Sequence, residues 1–178
     1  MTEFVEAPTI TSERLRLRSH TESDLDHCAA LWADAQVVRF IGGRAFSREE
    51  TWARMLRYAG HWPWKQYGFW IIEEKATGAF VGEIGFADHK RDVVPSVAGK
   101  PEAGWALTPA MWGRGYASEA LAMVLAWGDE NLCESETVCL IDPENLPSLR
   151  MAEKQGYGGL VRAKYKGKET LLLTRTRG

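Results

Sequence analysis

The stretch EAGWALTPAMWGRGYASEAL, Glu102–Leu121, changes character partway along. EAGWAL (Glu102–Leu107) reads as a short strand. The end of the stretch opens a helix, running to about Asn131, in which Ala117, Leu121, Val124, Leu125 and Gly128 share one face. Between them lie Thr108 to Arg114, and the glycines Gly113 and Gly115 flank Arg114. A helix N-terminus leaves N–H groups unpaired and carries partial positive charge. Glycine lets backbone approach an anion and lets several N–H groups point one way. These residues therefore form a natural seat for a phosphate or pyrophosphate. A plain strand-to-helix turn is the competing reading of the same residues.

Two familiar nucleotide loops do not fit. No G-x-x-x-x-G-K-[ST] string occurs in the chain. A G-x-G-x-x-G/A fingerprint starting at Gly113 and Gly115 would place Ser118 at its third position. That fingerprint also opens a run of β-α units, whereas hairpins precede this loop. A nicotinamide-binding oxidoreductase is disfavoured for that reason.

Upstream, Ser12–Ser19 alternates leucine with arginine and predicts a half-buried strand. Thr21–Asp24 has a capping-box pattern, and Leu25, Cys28, Ala29 and Trp32 follow at helical spacing. Ser47–Glu50 is a second capping box. Trp52, Met55, Leu56 and Ala59 then predict a helix stopped near Pro63. Tyr67–Glu74 and Ala79–Ala87 predict an antiparallel hairpin, and Lys90–Lys100 a loop. Downstream, Glu136–Ile141 predicts a strand, and Asn145 the N-cap of a short helix to Gln155, closed by Gly156. Gly159–Tyr165 and Glu169–Arg175 predict a last hairpin. The unit from Glu102 to Ile141 needs a parallel crossover. The expectation is a mixed α/β (α+β) fold, 1–178 as a single domain. It would have a central, mostly antiparallel sheet of about seven strands flanked by about four helices.

Composition narrows the function. The 178 residues suit one domain with a full core. A net charge of −2 supplies no global field toward nucleic acid or membrane. The opening MTEFVEAPTI lacks a basic n-region and an apolar h-region, which predicts no signal peptide. No apolar run is long enough to span a bilayer. Cys28, Cys133 and Cys139 form no CxxC pair and lie in apolar segments, which predicts reduced, buried thiols in a cytoplasmic protein. No cluster has metal-ligand spacing, so no metal is expected.

WGRGYASEAL closely resembles motif A of the GNAT acetyltransferase superfamily, [QR]-x-x-G-x-[GA], with Trp112, Gly113, Arg114, Gly115, Tyr116 and Ala117 aligned. Trp112 replaces the usual Gln or Arg, a departure familiar in the branch that includes the ribosomal-protein N-terminal (alanine/serine) acetyltransferases. TSERLRLRS (Thr11–Ser19) resembles that branch's opening strand and AFVGEIGF (Ala79–Phe86) its central hairpin strand. DPENLPSLRMAEKQGY (Asp142–Tyr157) resembles its late motif, N-x-x-S followed by E-K-x-G-[FY].

The resemblance implies a GNAT-like domain that binds acetyl-CoA and transfers acetyl directly to an amine through a tetrahedral intermediate. Amides from Gly113 to Ser118 would hold the CoA pyrophosphate. Trp105, Ala106 and Leu107 would pair with the pantetheine arm at a bulge that splays strand 102–107 from strand 136–141. Asn145 would hydrogen-bond the pantetheine, a role compatible with its being an N-cap. The Leu107 N–H would stabilise the oxyanion.

An amine must lose a proton to react, and a carboxylate acting through water can take it. Glu102 stands where the family often places its base. Glu83, mid-strand in VGEIGF, is the second candidate. Period two sets Glu83 with Val81 and Gly85, opposite Phe80, Ile84 and Phe86, where burial would raise its pKa. Either acid could equally be an exposed strand residue or an arginine partner. His61 and His89 are further candidates, though lone histidines more often pack. Many family members place a tyrosine acid where this chain has Ala152, which leaves Ser148 to protonate the thiolate; Tyr157 is expected to pack. Ser148 could instead satisfy only local backbone. Trp62, Trp64, Tyr67 and Trp70 would line an acceptor pocket or fill the core.

The partner implied is a small-molecule or peptide amine, with no nucleic acid and no membrane. A homodimer is compatible with the sequence but not derivable from it. A catalytically inactive CoA-binding sensor or interaction module of the same fold is the alternative to the enzyme.

Overall fold

The computed structural model describes residues 3 and 5–178; of the opening stretch read for a signal peptide, Met1, Thr2 and Phe4 lie outside the described residues. In chain order the elements begin with β1 (Ile10–Thr11), β2 (Leu15–Arg18), α1 (Leu25–Ala33), α2 (Ala35–Val38) and α3 (Arg48–Lys65). They continue with β3 (Phe69–Glu74), β4 (Phe80–Ala87), β5 (Val93–Val94), β6 (Glu102–Leu107) and α4 (Tyr116–Asn131). β7 (Glu136–Ile141), α5 (Leu146–Lys154), β8 (Gly158–Tyr165) and β9 (Lys168–Thr176) complete them. The strands form one sheet in the order β1-β2-β3-β4-β6-β7-β9-β8-β5. Every neighbouring pair is antiparallel except β6 with β7.

Seven of these strands and four of these helices match the sequence expectation. The additions are β1 and β5, two residues each, and α2, four residues. Segments that short complete no hydrophobic period. The long helix also passes Pro63 and ends at Lys65. Proline there removes the bond its own N–H would have made and crowds the Ala59 carbonyl, and the helix ends two residues later. Gln66 closes the helix in the left-handed region, donating its N–H to Trp62 O at 3.0 Å. The Ser47 capping box forms as read, with Glu50 N–H on Ser47 Oγ at 3.1 Å and Ser47 N–H on Glu50 Oε2 at 2.8 Å. Of the thiols, Cys28 and Cys139 are buried but Cys133 is exposed, just past the end of α4, contrary to the expectation of burial. Among the described residues no helix is long and apolar enough to cross a membrane.

Apolar packing covers both faces of the sheet. On one face Leu121, Val124 and Leu125 of α4 meet Leu15, Leu17, Ile72, Ile84 and Phe86. On the other, Cys28, Leu31 and Trp32 of α1 and Met55 of α3 meet Ile71 and Ala106. β4 breaks the expected alternation. The β3–β4 register shifts between Ile72 and Glu73, leaving Val81 as an extra residue. A bulge moves everything before it to the opposite face. Val81 therefore joins Ile84 and Phe86, and Phe80 joins the Trp32 cluster, the reverse of the period-two reading.

Strand β3 crosses closely over Gly85, where an added Cβ would lie 2.2 Å from Gly68 O. We expect Gly85→Ala to cost about 1–3 kcal/mol of stability, as overpacking does, measured as a lower urea midpoint at unchanged slope. An unchanged midpoint would show that the two strands part freely.

Candidate active site

The site begins where two strands diverge. β6 pairs with β4 at six register positions, and β7 with β9 at six. β6 and β7 share only one, Glu102 with Val138, beside Val138 N–H on Pro101 O at 3.0 Å. Past that point each strand follows its antiparallel partner and a cleft opens, as the resemblance implied. Thr108 N–H bonds Val81 O on the β4 side at 2.9 Å. Strand alternation therefore turns the N–H and C=O of Leu107 and Trp105 toward the cleft. The Leu107 carbonyl is taken by the Trp112 indole N–H at 2.8 Å.

The glycine turn sits at one end of this cleft. Gly113 and Gly115 have φ of 73° and 79°, the left-handed region that favours glycine. Gly115 caps α4, whose first bond runs from Glu119 N–H to Gly115 O at 3.1 Å. The amides of Tyr116, Ala117 and Ser118 precede that bond and are the orphan donors of the helix. Arg14 braces the turn from β2's approach, donating to Arg114 O at 2.9 Å and to Glu119 Oε2 at 2.7 Å. The Arg114 side chain, unlike its backbone, points away from the cleft. Its guanidinium lies 3.8 Å from Glu74 and does not line the cleft. Tyr116 also bonds Glu74 through its hydroxyl. The cations that do line the cleft are Arg150 and Lys154 of α5, one helical turn apart. Sequence reading passed over them, although their i, i+4 spacing was visible.

The cleft holds about 650 Å³ and is also bounded by Trp105, Ala106, Leu107, Trp112, Asn145 and Ser148. Asn145 is the N-cap of α5, accepting from Ser148 N–H at 3.3 Å through Oδ1. Ser148 Oγ accepts from the Trp105 indole at 3.2 Å. Ala152 is fully buried, and the Tyr157 hydroxyl bonds Thr137 Oγ1 at 2.8 Å inside the core, so Tyr157 packs as expected.

A smaller recess of about 120 Å³ shares Phe40, Ile41, Trp105, Asn145 and Ser148 with the cleft. Its far wall carries Arg54, Tyr58, His89, Arg91 and Glu102. Glu102 is buried, with Arg91 Nε on Oε2 at 2.7 Å and Arg91 Nη2 on Oε1 at 3.0 Å. Tyr58 stacks flat on Phe69, ring centroids 4.0 Å apart. Burial pushes the Tyr58 phenol up. Burial, with Arg91, Arg57 and Arg54 nearby, lowers the His89 pKa to about 3, so its imidazole is neutral at physiological pH.

Glu83 lies elsewhere. It is fully buried, lines neither cavity, and is held by the Trp32 indole at 2.6 Å, His20 Nε2 at 2.6 Å and the Cys28 thiol at 3.5 Å. Burial alone would raise its pKa, but the hydrogen bonds from His20 and Trp32 outweigh burial and hold it below the usual carboxylate range. The expected upward shift does not occur. The fold brings the ligand atoms of His20, Cys28 and Glu83 within 4.8 Å of one another, a cluster with no trace in the sequence spacing. These groups satisfy each other by hydrogen bonds. His61 is likewise structural, bonding Arg57 O at 2.6 Å and Asp88 N–H at 3.0 Å.

The aromatic pocket read from the second helix is also corrected. Trp62 and Trp70 pack edge-on with Trp127 at 5.5 and 5.1 Å in the core, Tyr67 is buried near Phe86, and Trp64 is 88% exposed. The recess takes its rings instead from Trp32, Phe40, Tyr58, Phe69 and Trp105. One face of α3 supplies Arg54 and Tyr58; Trp62, one turn later, has passed into the core.

Known proteins share this fold. A family model described as Acetyltransferase (GNAT) domain matches residues 14–158. The uncharacterized N-acetyltransferase p20 of Bacillus licheniformis is 26% identical over 167 residues, covering 92% of this chain and 91% of that protein. An acetyltransferase structure from Agrobacterium tumefaciens superposes with a TM-score of 0.82 at 26% identity, over 98% of this chain and 97% of that one. A spermidine N-acetyltransferase from Vibrio cholerae, solved with CoA and spermine, has the same fold at a TM-score of 0.72 and 14% identity, over 93% and 97% of the two chains.

The neutral His89 couples the recess to acid stability. Its folded pKa lies below the unfolded value of about 6.5, so the unfolded chain binds the extra proton. Stability from this group is full above about pH 6.5 and is lost as the pH falls toward 3. We expect His89→Gln to flatten that part of the stability profile in urea unfolding at stepped pH. An equally steep acid limb in the variant would assign the loss to other groups.

Proposed function

We propose that this chain, which belongs to the GNAT acetyltransferase family, moves an acetyl group from acetyl-CoA to a primary amine by direct transfer, with 1–178 as one catalytic domain. The amine is a protein N-terminus or a small molecule. The observation that carries this reading is the meeting of a long cleft and a small recess at Trp105, Asn145 and Ser148, where β6 leaves β7. A donor reaches that point along one cavity and an acceptor through the other.

The residues present fit acetyl-CoA. The orphan amides of Tyr116, Ala117 and Ser118, with the turn at Gly113 and Gly115, suit a pyrophosphate. Arg150 and Lys154 add positive charge for the remaining phosphate. The cleft-facing N–H and C=O of Trp105 offer peptide-like pairing to the pantetheine amides, the Leu107 carbonyl being held by Trp112. Asn145 spends its side-chain oxygen on the α5 cap and keeps its amide N–H₂ for the same arm.

Acetyl-CoA, when bound, supplies an electrophilic thioester carbonyl whose C–S bond breaks as the new C–N bond forms, releasing the CoA thiol. The Leu107 N–H is placed to donate to the carbonyl oxygen as charge develops there. Glu102 takes the amine proton, directly or through one water, and Arg91 holds the carboxylate in place. Ser148 Oγ, steadied by Trp105, donates its O–H to the departing sulfur and relays to it a proton taken from water, so that the hydroxyl is restored. A thiol pKa of about 8.5 makes that a mild requirement, so the loss of a tyrosine at 152 is tolerable. Glu83 anchors Trp32 and α1 and takes no part in proton transfer. The free thiols fit a reducing cytoplasm.

A CoA-binding module without catalysis is the second reading. It is favoured by Arg91's hold on both Glu102 oxygens and by alanine at 152.

Thiol release from acetyl-CoA, followed across a panel of amines, separates the two. At least one amine should stimulate release about tenfold or more, and Glu102→Gln should lower kcat about a hundredfold. Tight CoA binding with no stimulation by any amine would favour the sensor. Gly115→Val forces a β-branched residue into the left-handed region, with its Cβ 3.4 Å from Arg14 Nη2. It should abolish CoA binding in a folded protein. A folded variant that keeps about micromolar affinity would sink the assigned phosphate seat.

A further inference from the structure

The recess contains a positive charge that acetyl transfer itself does not use. Arg54 projects from α3 with its Cζ 4.0 Å from the Trp32 ring centroid and 4.6 Å from that of Phe46. It donates one hydrogen bond, from Nη1 to the Tyr58 hydroxyl at 3.0 Å. Among the described residues no carboxylate forms an ion pair with it. The two acids lining the recess are engaged elsewhere. Glu102 holds Arg91 through both oxygens, and Asp142 accepts Glu144 N–H at 2.8 Å within its own turn. Glu83, behind Trp32, is fully buried and committed to His20 and Trp32.

The surroundings deepen the excess. Arg57, one turn along and exposed at the surface, also has no ion-paired carboxylate among the described residues. His89 is neutral, because burial and the nearby arginines lower its pKa. A guanidinium stacked on aromatic rings keeps its edge donors available and in fixed directions. Such a fork, partly withdrawn from water, suits a carboxylate and repels a second cation.

We propose that Arg54 selects the acceptor: the substrate amine carries a carboxylate that the Arg54 guanidinium binds while the amine faces Glu102. This rests on the acetyl-transfer reading above and narrows its acceptor to an amino carboxylate, a free amino acid or a peptide N-terminus with an acidic residue beside it. A polyamine, the ligand of the Vibrio cholerae neighbour, would place further positive charge against Arg54 and Arg57.

The test uses the full chain with acetyl-CoA and matched acceptors. One arm sets each free amino acid against its own carboxamide. A second sets C-terminally amidated peptides starting Ala-Glu and Ser-Asp against those starting Ala-Gln and Ser-Asn. A third is spermidine. In the arm that supplies the substrate, the carboxylate member should exceed its amide by about tenfold or more in kcat/KM, which also identifies the source. Arg54→Gln should bring that ratio to about one, and Arg54→Lys should recover part of it. CoA affinity, measured by calorimetry on each variant, reports whether the variant is folded. Turnover of amides or spermidine equal to or better than the carboxylates would overturn the proposal and leave acetyl transfer standing. So would a ratio unchanged in a folded Arg54→Gln variant. Failure of wild-type protein to bind CoA would overturn both.

Discussion

The single register pair between β6 and β7 is the constraint on which the rest of the site depends. β6 pairs with β4 along one edge and β7 with β9 along one edge, while the facing edges of β6 and β7 meet only at Glu102 and Val138 and diverge beyond. A sheet interior does not leave backbone groups unpaired without a substitute. Here the Leu107 carbonyl is met by the Trp112 indole, and the neighbouring N–H groups face a cavity suited to an extended amide-bearing chain. The opening also sets where the helices begin. α4 starts at one end of the cleft with its orphan amides inward, and α5 lies along the side with Asn145 and Ser148 facing Trp105.

Electrostatics then divides the molecule into committed and available groups. The Arg91–Glu102 pair is bidentate and partly withdrawn from water, so it positions a carboxylate at the recess wall rather than leaving it mobile. Glu83 shows the opposite use of a buried acid. Its hydrogen bonds from His20, Trp32 and Cys28 are spent inside the fold, joining the segment before α1, α1 itself and the central strand β4. Two glutamates in apolar strands thus have different fates because only one borders a cavity. Among the described residues no carboxylate forms an ion pair with Arg54, and that asymmetry gives the recess its character.

Much of the architecture was readable along the chain. Alternating leucines in Ser12–Ser19 marked β2, and the Ser47–Glu50 box marked the start of α3. Gly113 and Gly115 marked a turn that requires positive φ. What failed did so for local reasons. The bulge at Val81 exchanged the faces of Val81 and Phe80, because one inserted residue costs a strand pattern nothing in composition while reversing its direction. Trp62, Tyr67 and Trp70 resembled pocket residues, yet rings that can line a cavity can equally fill a core. Arg54 carries no local pattern that marks it, since its role depends on Trp32 and Phe46 from other segments.

The sequence by itself determined the order and type of the long elements and the glycine turn before a helix, which are encoded in periodicity and spacing among neighbours a few residues apart; the family came from the resemblance of its motifs. Only the tertiary structure decided that Glu102 meets Arg91, that Glu83 is enclosed, that Arg150 and Lys154 border the cleft while Arg114 turns away, and that Arg54 stands over Trp32 with no ion-paired carboxylate among the described residues. Those outcomes depend on which distant segments the sheet order brings together. Charge pairing and burial are properties of that proximity, and no local pattern in the chain records it.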